Sequence, residues 1–322
     1  MSGHIFVTGA NGRIGQHLIK RLILEGETVV GSARTEKKAE LVRALGATCL
    51  VGELSQPGIV DEGLANAKAV YHLAGGFRGP GTANPDRVNR QTTLYLIDRL
   101  KKSPTLEALV FTSSCAVHGD RSGLWLDEDM PPHPHTRYGH AKLASEEALM
   151  EAAANHQLPL RIVRMAAVYG PGFPFMMEDW IREGRAWLPG EGRNYVPTIH
   201  IDDAIEGLVR CGEPNAKHTL YNLADVEPLT LSEFYHVVAT HTGGKKPKFW
   251  STWIPSYIQF GAARWNERVQ SKLRAKPRFT PDALRLFTSS SRMKTERIEQ
   301  ERGMTWRYPS ASEGIAASIS RS

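Results

Sequence analysis

The chain of 322 residues contains few cysteines and no long apolar run. Cys49, Cys115 and Cys211 are far apart and have neither metal-ligand spacing nor a disulfide framework, so we expect no metal and a reducing, cytoplasmic location. No stretch reaches the roughly 18–20 apolar residues that span a bilayer. Residues 1–10 lead directly into a strand pattern, so we expect neither an integral membrane segment nor a signal peptide.

The chain also lacks a generally basic character, although its formal net charge is +6. Between Lys245 and Arg278, nine lysines and arginines stand against one acid, Glu267, so this segment carries +8 and the remainder −2. A local basic segment is a weak argument for nucleic acid. We therefore expect a small-molecule substrate and no nucleic-acid partner.

Strand and helix signals alternate through the first half of the chain. Segments with helical spacing of apolar residues separate six strand-like runs: "HIFVTG", "ETVVGSA", "TCLVGEL", "AVYHLAG", "LEALVFTSS" and "LPLRIVRMA". This alternation predicts an α/β fold with a doubly wound parallel sheet and right-handed crossovers. We assign residues 1–168 and 196–224 to this domain, and residues 169–195 and 225–322 to a smaller, mostly helical substrate domain.

Local signals in the second half predict two further helices. The segment "FMMEDWIREGRAWLPG" has apolar and aromatic residues at helical spacing, which predicts a helix over its length. In "HIDDAIEGLVRCG", Asp202 or Asp203 is expected to cap a helix, because aspartate favours the N-cap position.

Three glycines stand at the first junction between a strand and a helix. In "TGANGRIG" they are Gly9, Gly12 and Gly15. A glycine turn at this position directs backbone N–H groups and the positive helix end towards a pyrophosphate. A tight turn without a ligand is the alternative, but the first junction of an alternating pattern favours a dinucleotide.

The end of the second predicted strand lacks a carboxylate. An NAD-binding chain usually has Asp or Glu there for the ribose 2′-OH, whereas an NADP-binding chain has a nearby Arg. Here Ser32 and Ala33 are followed by Arg34, whose guanidinium suits a 2′-phosphate, and Arg13 is a second candidate. Solvent-exposed arginines are the alternative, but the pattern favours NADP(H), with NAD(H) possible.

The chain has one Tyr-x-x-x-Lys, in "RYGHAK", which places Tyr138 and Lys142 on one helix face. A neighbouring ammonium and a positively charged nicotinamide favour the phenolate, which lowers the tyrosine pKa from near 10 towards working pH. Thr112, Ser113 and Ser114 end the fifth strand. A hydroxyl there suits either a hydrogen bond to a substrate carbonyl or the capping of a turn.

The ordered set of motifs resembles the extended short-chain dehydrogenase/reductase family, the NAD-dependent epimerase/dehydratase group, over about residues 4–312. The motifs are "TGANGRIG", "HLAGG", "VFTSSCAVHG", "YGHAK", "RMAAVYGPG", "HIDDA" and "YNLAD". The resemblance implies a Rossmann domain, a C-terminal substrate domain and, in many members, a homodimer. It implies Tyr138 as the acid/base, Lys142 as its partner and ribose ligand, and Ser114 as the carbonyl-binding hydroxyl.

Two positions near this predicted site depart from the family's pattern. Asn89 matches the asparagine of the N-x-x-G-T helix, where it would hold a water or orient Lys142, but Thr92 replaces the glycine. His118 replaces the commoner tyrosine of "VYG". The cofactor-binding residues that the resemblance and the motifs imply are Gly9, Asn11, Gly12, Arg13, Ile14, Gly15, Arg34, Glu53, Leu54, Leu73, Ala74, Gly75, Tyr138, Lys142, Met165 and Val168.

Two diphosphate-binding residues of the family's nucleotide-sugar enzymes are absent. Ala167 stands in place of an asparagine and Val196 in place of an arginine, and a buried diphosphate without polar partners is costly. We therefore expect an NADP(H)-dependent oxidoreductase acting on a carbonyl or alcohol of a small or lipophilic substrate. A nucleotide-sugar epimerase or dehydratase and a non-catalytic NADP-binding module are the alternatives.

Many large apolar residues in the predicted substrate domain favour an apolar substrate, although most of them also suit a core. They are Phe173, Phe175, Met176, Met177, Trp180, Trp187, Phe249, Trp250, Trp253, Tyr257, Phe260 and Trp265.

Overall fold

The computed structural model describes residues 3–56, 58–75, 85–101, 106–122, 124–173, 178–250, 256–272 and 280–319. Within these ranges the strands are β1 (His4–Thr8), β2 (Val29–Ala33), β3 (Thr48–Val51), β4 (Ala67–His72), β5 (Ala108–Ser114), β6 (Trp125–Leu126), β7 (Leu160–Met165), β8 (Ala167–Tyr169), β9 (Trp187–Pro189), β10 (Thr198–His200), β11 (Leu220–Leu223), β12 (Lys248–Trp250) and β13 (Arg292–Met293). The helices are α1 (Arg13–Leu24), α2 (Glu36–Arg43), α3 (Ile59–Leu64), α4 (Pro85–Leu100), α5 (Arg137–His156), α6 (Glu178–Arg182), α7 (Ile201–Gly212), α8 (Leu231–Thr242), α9 (Ser256–Lys272), α10 (Pro281–Thr288), α11 (Glu296–Arg302) and α12 (Ala311–Ile319). A 3₁₀ turn, Cys115–Val117, follows β5.

Seven strands form one sheet in the order β11-β7-β5-β4-β1-β2-β3, and every pairing is parallel. The predicted doubly wound parallel sheet is confirmed. All six predicted strands belong to it, and β11, from "YNL", adds the seventh. The chain order reverses between β1 and β4, and ligands of such sheets bind at the carboxyl ends of the strands beside this reversal.

Side chains that alternate along the strands fill two apolar layers. Ile5 and Val7 of β1 belong to the layer that buries α1 and α7, whereas Phe6 belongs to the layer that buries α3, α4 and α5. This alternation follows from the two-residue repeat of a strand, and it explains why the central strands are apolar on both faces. Apolar packing on both faces of the sheet holds its carboxyl edge in place.

The helix predicted over "FMMEDWIREGRAWLPG" is wrong in its extent. Among the described residues, α6 covers only Glu178–Arg182, and Trp187–Pro189 forms β9, which pairs with β12. Gly184, with φ +67°, follows the last turn of α6 and its N–H bonds to the Ile181 carbonyl. A left-handed glycine of this kind ends a helix, so the apolar spacing beyond it serves a strand.

The predicted cap of α7 is also wrong. The N-cap is His200, whose Nδ1 accepts the N–H of Asp202 at 3.1 Å. The Asp203 carboxylate instead accepts the N–H groups of Arg307 and Tyr308 at 2.8 and 2.9 Å. The acid at the start of α7 therefore connects the C-terminal segment with this helix.

A buried carboxyl group, Asp225, lies just after β11. It is 3% exposed and accepts the Thr198 hydroxyl at 2.7 Å. Burial raises the pKa of this carboxyl to about 8, the Thr198 hydrogen bond opposes the shift, and the neighbouring charge of Asp203 adds to it. The folded protein therefore favours the protonated form of Asp225 near neutral pH.

The contribution of Asp225 to the free energy of unfolding should fall as pH rises between about 4 and 8, and Asp225→Asn should remove this contribution. In that window the folded carboxyl keeps a proton that an unfolded carboxyl, with a pKa near 3.9, has lost. One such group lowers the free energy of unfolding by up to about 1.4 kcal/mol per pH unit. Urea unfolding of both proteins at pH 5 and pH 7 measures the difference. The exposed Asp98→Asn is the control, and parallel pH dependence in all three proteins would contradict the prediction.

Candidate active site at the carboxyl edge of the sheet

The glycine turn after β1 is shaped by close backbone approaches. Gly9 has φ +68°, and a Cβ there would lie 2.8 Å from the Ala74 nitrogen. A Cβ on Gly15 would lie 2.6 Å from the Gly9 carbonyl oxygen. Gly12 differs, because it is exposed, has φ −69°, and its Cβ would meet only the Gly9 oxygen, at 3.1 Å. Two glycines are therefore required by the turn, while the third keeps the space in front of α1 open.

The N-terminus of α1 is well suited to an anion. Gly12 is its N-cap, no side chain caps its N–H groups, and its first turn contains no acid. Free N–H groups and the positive end of the helix dipole favour a phosphate group. These residues therefore fit the pyrophosphate of a dinucleotide.

The two arginines predicted to bind a 2′-phosphate have different surroundings. Arg34 follows β2 directly and is exposed, and it forms no ion pair within the described ranges. Arg13 is also exposed, but its guanidinium lies 5.8 Å from the ring centroid of Phe173, beyond β8. Arg13 thus contacts the loop that follows β8, which leaves Arg34 as the better placed partner for a 2′-phosphate.

Most of the other predicted cofactor residues lie at the ends of strands of the seven-stranded sheet. Glu53 and Leu54 follow β3, Met165 ends β7, and the remaining positions lie after β4 and in β8: Leu73, Ala74, Gly75 and Val168. Glu53 is exposed, whereas Met165 is 4% exposed. Because the carboxyl ends of parallel strands share one edge, the fold places the residues at the ends of β3, β4 and β7 along the same edge as the glycine turn. Val168 lies in β8, which pairs with β10 outside the seven-stranded sheet.

Ser114 and Tyr138 meet where β5 ends and α5 begins. Thr136 caps α5 by accepting the Gly139 N–H at 3.0 Å, which fixes Tyr138 in the first turn. The Ser114 hydroxyl accepts the Ala116 N–H at 3.2 Å and lies within hydrogen-bonding reach of the Tyr138 phenol. Ser114 therefore caps the turn after β5 and also faces the tyrosine, while its role towards a substrate carbonyl stays a prediction.

In the protein without a bound nicotinamide, burial decides the direction in which the pKa of Tyr138 moves. Burial raises it above the ordinary value, the neighbouring Cys115 thiol raises it further, and the Ser114 hydroxyl lowers it. The Lys142 ammonium lies 6.0 Å from the ring centroid and does not reverse the effect of burial. Tyr138 is therefore a protonated phenol at neutral pH, the state required of a proton donor.

Lys142 is a buried ammonium anchored on the backbone. It is 4% exposed, and its Nζ donates to the Thr112 carbonyl at 2.8 Å. Burial lowers the pKa of this group to about 8, and the charge of Glu146 raises it. Asn89 lies in α4, but its side chain is outside the described part of the structure.

Sequence reasoning missed a buried network beside these residues. Ser113 donates to Glu146 at 2.5 Å, and Arg164 of β7 donates to the same carboxylate at 2.8 Å. All three side chains are at most 3% exposed. The available signals were an arginine inside the apolar strand "LRIVRM" and a glutamate four residues after Lys142. Ser113 is thus committed to structure, which supports Ser114 as the functional hydroxyl.

His118, which replaces a tyrosine of the family pattern, is a buried neutral histidine. Its Nε2 lies 3.0 Å from the Asn222 Oδ1, on β11. Burial lowers the pKa of His118 to about 4, so the ring is uncharged at neutral pH. The "VHG" and "YNLAD" motifs are therefore joined in the structure through this contact.

The two apolar residues that stand in place of the family's diphosphate-binding side chains have different surroundings. Ala167 is exposed on β8, whereas Val196 packs against the apolar cluster around Tyr169 and Tyr235. Trp187 and Trp265 are 55% and 69% exposed, while Phe249 packs against the same cluster. Outside the described part lie Phe175, Met176, Met177 and Trp253, and the side chains of Trp250 and Tyr257.

The part of the chain that the structure describes contains neither a cluster of metal ligands nor a membrane-spanning helix. No group of three or more His, Cys, Asp or Glu side chains is arranged to hold a metal ion. In the same residues, no helix has the length and apolarity needed to cross a membrane.

Comparison with known proteins gives one family match. The model described as the NAD dependent epimerase/dehydratase family matches residues 5–224. A 4-hydroxy-2-methyl-3-oxo-4-farnesyl-3,4-dihydroquinoline-1-oxide ketoreductase from Stigmatella aurantiaca is 28% identical over 248 residues, 74% of this chain and 73% of that protein. A 2-alkyl-3-oxoalkanoate reductase from Shewanella oneidensis is 28% identical over 262 residues, 74% of this chain and 66% of that protein. Epimerases also occur among the relatives.

A solved structure has the same fold over nearly the whole chain. The UDP-glucuronic acid 4-epimerase from Bacillus cereus, in complex with UDP-glucuronic acid and NAD, aligns with a TM-score of 0.76. The two proteins are 21% identical, and the alignment covers 98% of each chain.

Proposed function

Because the chain belongs to the NAD dependent epimerase/dehydratase family, we propose that it is an NADP(H)-dependent oxidoreductase. Its substrate is a small or lipophilic molecule on which it reduces a carbonyl or oxidises an alcohol. The observation that carries this proposal is the cluster of Ser114, Tyr138 and Lys142 beside the carboxyl end of β5.

Each of these three side chains has a distinct task in carbonyl reduction. NADPH supplies the hydride when it is bound. The Ser114 hydroxyl donates a hydrogen bond to the carbonyl oxygen, where negative charge develops. Tyr138, protonated because burial raises its pKa, delivers its phenolic proton to that oxygen. Lys142, anchored on the Thr112 carbonyl, binds the ribose of the dinucleotide and adds positive charge beneath the site.

Two observations support a substrate without a diphosphate. The exposed Ala167 on β8 offers a methyl group in place of the amide of an asparagine. The two reductases named above act, by their names, on ketones that carry a farnesyl or an alkyl group. A diphosphate would also need polar partners in place of Ala167 and Val196.

The proposal is tested by following NADPH oxidation with a panel of alkyl and aryl ketones and, separately, with sugar nucleotides. Net consumption of NADPH with a ketone supports the proposal. Conversion of a sugar nucleotide into its epimer without net NADPH consumption would overturn it in favour of an epimerase. Thermal stabilisation by sugar nucleotides, compared with stabilisation by NADPH, gives a second readout that needs no turnover.

Arg34→Ala should weaken NADPH binding about 10- to 100-fold and leave NADH binding nearly unchanged. The reason is the loss of a guanidinium beside the 2′-phosphate, a charge-assisted contact of about 1.5–3 kcal/mol. Fluorescence titration with both cofactors measures the two dissociation constants. Arg43→Ala is the matched control, because Arg43 is an exposed arginine on the following helix whose guanidinium pairs with Glu36. Equal losses for NADH and NADPH would contradict the assignment of Arg34.

A further inference from the structure

We propose that Glu146 is a positioning residue, which keeps Lys142 cationic and fixes the end of β5 through its buried contacts. This inference rests on the proposed function, because it assigns a task within the same site. It concerns a residue that contacts neither substrate nor cofactor in this assignment and acts through Lys142 and Ser113.

The geometry joins three elements through one carboxylate. Glu146 is 0% exposed and lies one helical turn after Lys142, on the same face of α5. One of its oxygens accepts the Ser113 hydroxyl at 2.5 Å, and the other accepts the Arg164 Nη2 at 2.8 Å. Since Ser113 immediately precedes Ser114, this carboxylate connects α5 with the ends of β5 and β7.

Without the Glu146 carboxylate, the buried positive charges near Lys142 would have no negative charge beside them. The described groups that interact with Lys142 are Glu146 on α5, His72 on β4 and the ring of Tyr138. Each has a further neighbour: Cys115 adjoins Tyr138, Arg164 of β7 pairs with Glu146, and Thr93 of α4 is bonded to His72. The tyrosine and the thiol have raised pKa values, and burial lowers that of His72 to about 3, so these three are neutral. Among these groups Glu146 is the anion, and it faces two cations.

The balance between burial and the charge of Glu146 decides whether Lys142 is protonated at working pH. Burial alone disfavours the ammonium, and the charge of Glu146 restores part of its stability, which leaves a pKa of about 8. Removing the carboxylate charge leaves burial unopposed, so Lys142 would lose its proton at lower pH. A role limited to holding Arg164 in the fold would change stability and leave this titration unaltered.

The direct test is the titration of Lys142 in ¹³C-lysine-labelled protein by NMR, with the signal assigned through Lys142→Arg. Glu146→Gln should move the midpoint about one pH unit or more towards lower pH, as expected for the loss of an adjacent opposite charge. Glu147→Gln, which changes the exposed neighbouring glutamate, should leave the midpoint unchanged. Glu146→Asp keeps the charge and should hold the midpoint near the wild-type value.

Glu146→Gln leaves Arg164 buried without its partner, so Glu146→Gln/Arg164→Gln provides a variant without the stranded charge. It should also shift the Lys142 midpoint downwards, by less than Glu146→Gln does, because the Arg164 cation is removed together with the carboxylate. The alkaline limb of the pH–rate profile for ketone reduction should move in parallel in both variants. If neither the alkaline limb of the profile nor the midpoint of the Lys142 titration moves, the proposal is overturned. If no ketone is reduced by any variant, the proposed function fails, while the NMR titration still decides the role of Glu146.

Discussion

Tyr138→Phe is expected to lower kcat for ketone reduction by about 100- to 10,000-fold, the range for loss of a positioned general acid. The phenyl ring keeps the packing beside Lys142 and Cys115, so NADPH affinity should change less than about threefold. Steady-state kinetics with NADPH, together with a fluorescence titration of the cofactor, separates the two effects. This pattern would assign the phenol to the chemical step.

Tyr95→Phe is the matched control for this substitution. Tyr95 is a partly buried tyrosine on α4 whose hydroxyl accepts from Arg99 at 3.3 Å. Loss of the Tyr95 hydroxyl should leave kcat within about twofold, because it removes a single hydrogen bond that contributes little to stability. If Tyr138→Phe retains full activity, the assignment of Tyr138 as the proton donor is wrong. A wild-type protein that binds NADPH but turns over no substrate would instead favour the non-catalytic NADP-binding module.

Gly12→Asp should raise the dissociation constant for NADPH about 100-fold or more without unfolding the protein. Gly12 is an N-cap in extended backbone, where aspartate is a favoured residue, so the free energy of unfolding should stay within about 0.5 kcal/mol of the wild type. The new carboxylate would stand before the open N–H groups of α1, and repulsion between charges a few ångströms apart costs several kcal/mol. Gly12→Asp is thus expected to lower the affinity for the cofactor while the free energy of unfolding stays nearly unchanged.

Gly12→Asn separates the effect of charge from that of size. It adds a side chain of the same shape and also caps the helix, so it should weaken NADPH binding about tenfold less than Gly12→Asp. Urea unfolding and cofactor titration of the three proteins give the comparison. Equal affinities for the aspartate and asparagine variants would show that no anionic group of the cofactor lies before α1.

The sheet was predictable from the sequence because its signals are local. A run such as "HIFVTG" has strand character on its own, and the alternation of such runs with helical segments leaves one common parallel arrangement. The Ser114, Tyr138 and Lys142 assignment rests on spacing and on resemblance, and the structure brings these three residues together. Their catalytic roles stay predictions.

The features that sequence reasoning missed or misjudged depend on contacts distant in the chain. The bond from Ser113 to Glu146 joins residues 33 positions apart. Asp203 resembles a helix cap, but its partners are the backbone N–H groups of Arg307 and Tyr308, which only the folded chain brings near. The pKa of Tyr138 depends on burial, and a motif does not report burial. No local pattern contains this information.

Phe173 connects the loop after β8 with α1, and this contact has a practical consequence for altering substrate range under the proposed function. Its ring lies beneath the Arg13 guanidinium and packs with its centroid 6.1 Å from that of His17, and both partners belong to the first turns of α1. The same loop leaves β8, the strand that exposes Ala167. Under the proposed function, substitutions introduced here to alter the substrate range are expected also to change the KM for the cofactor. Variant libraries at this loop therefore need screening at more than one NADPH concentration, since a single concentration ranks cofactor affinity and substrate preference together.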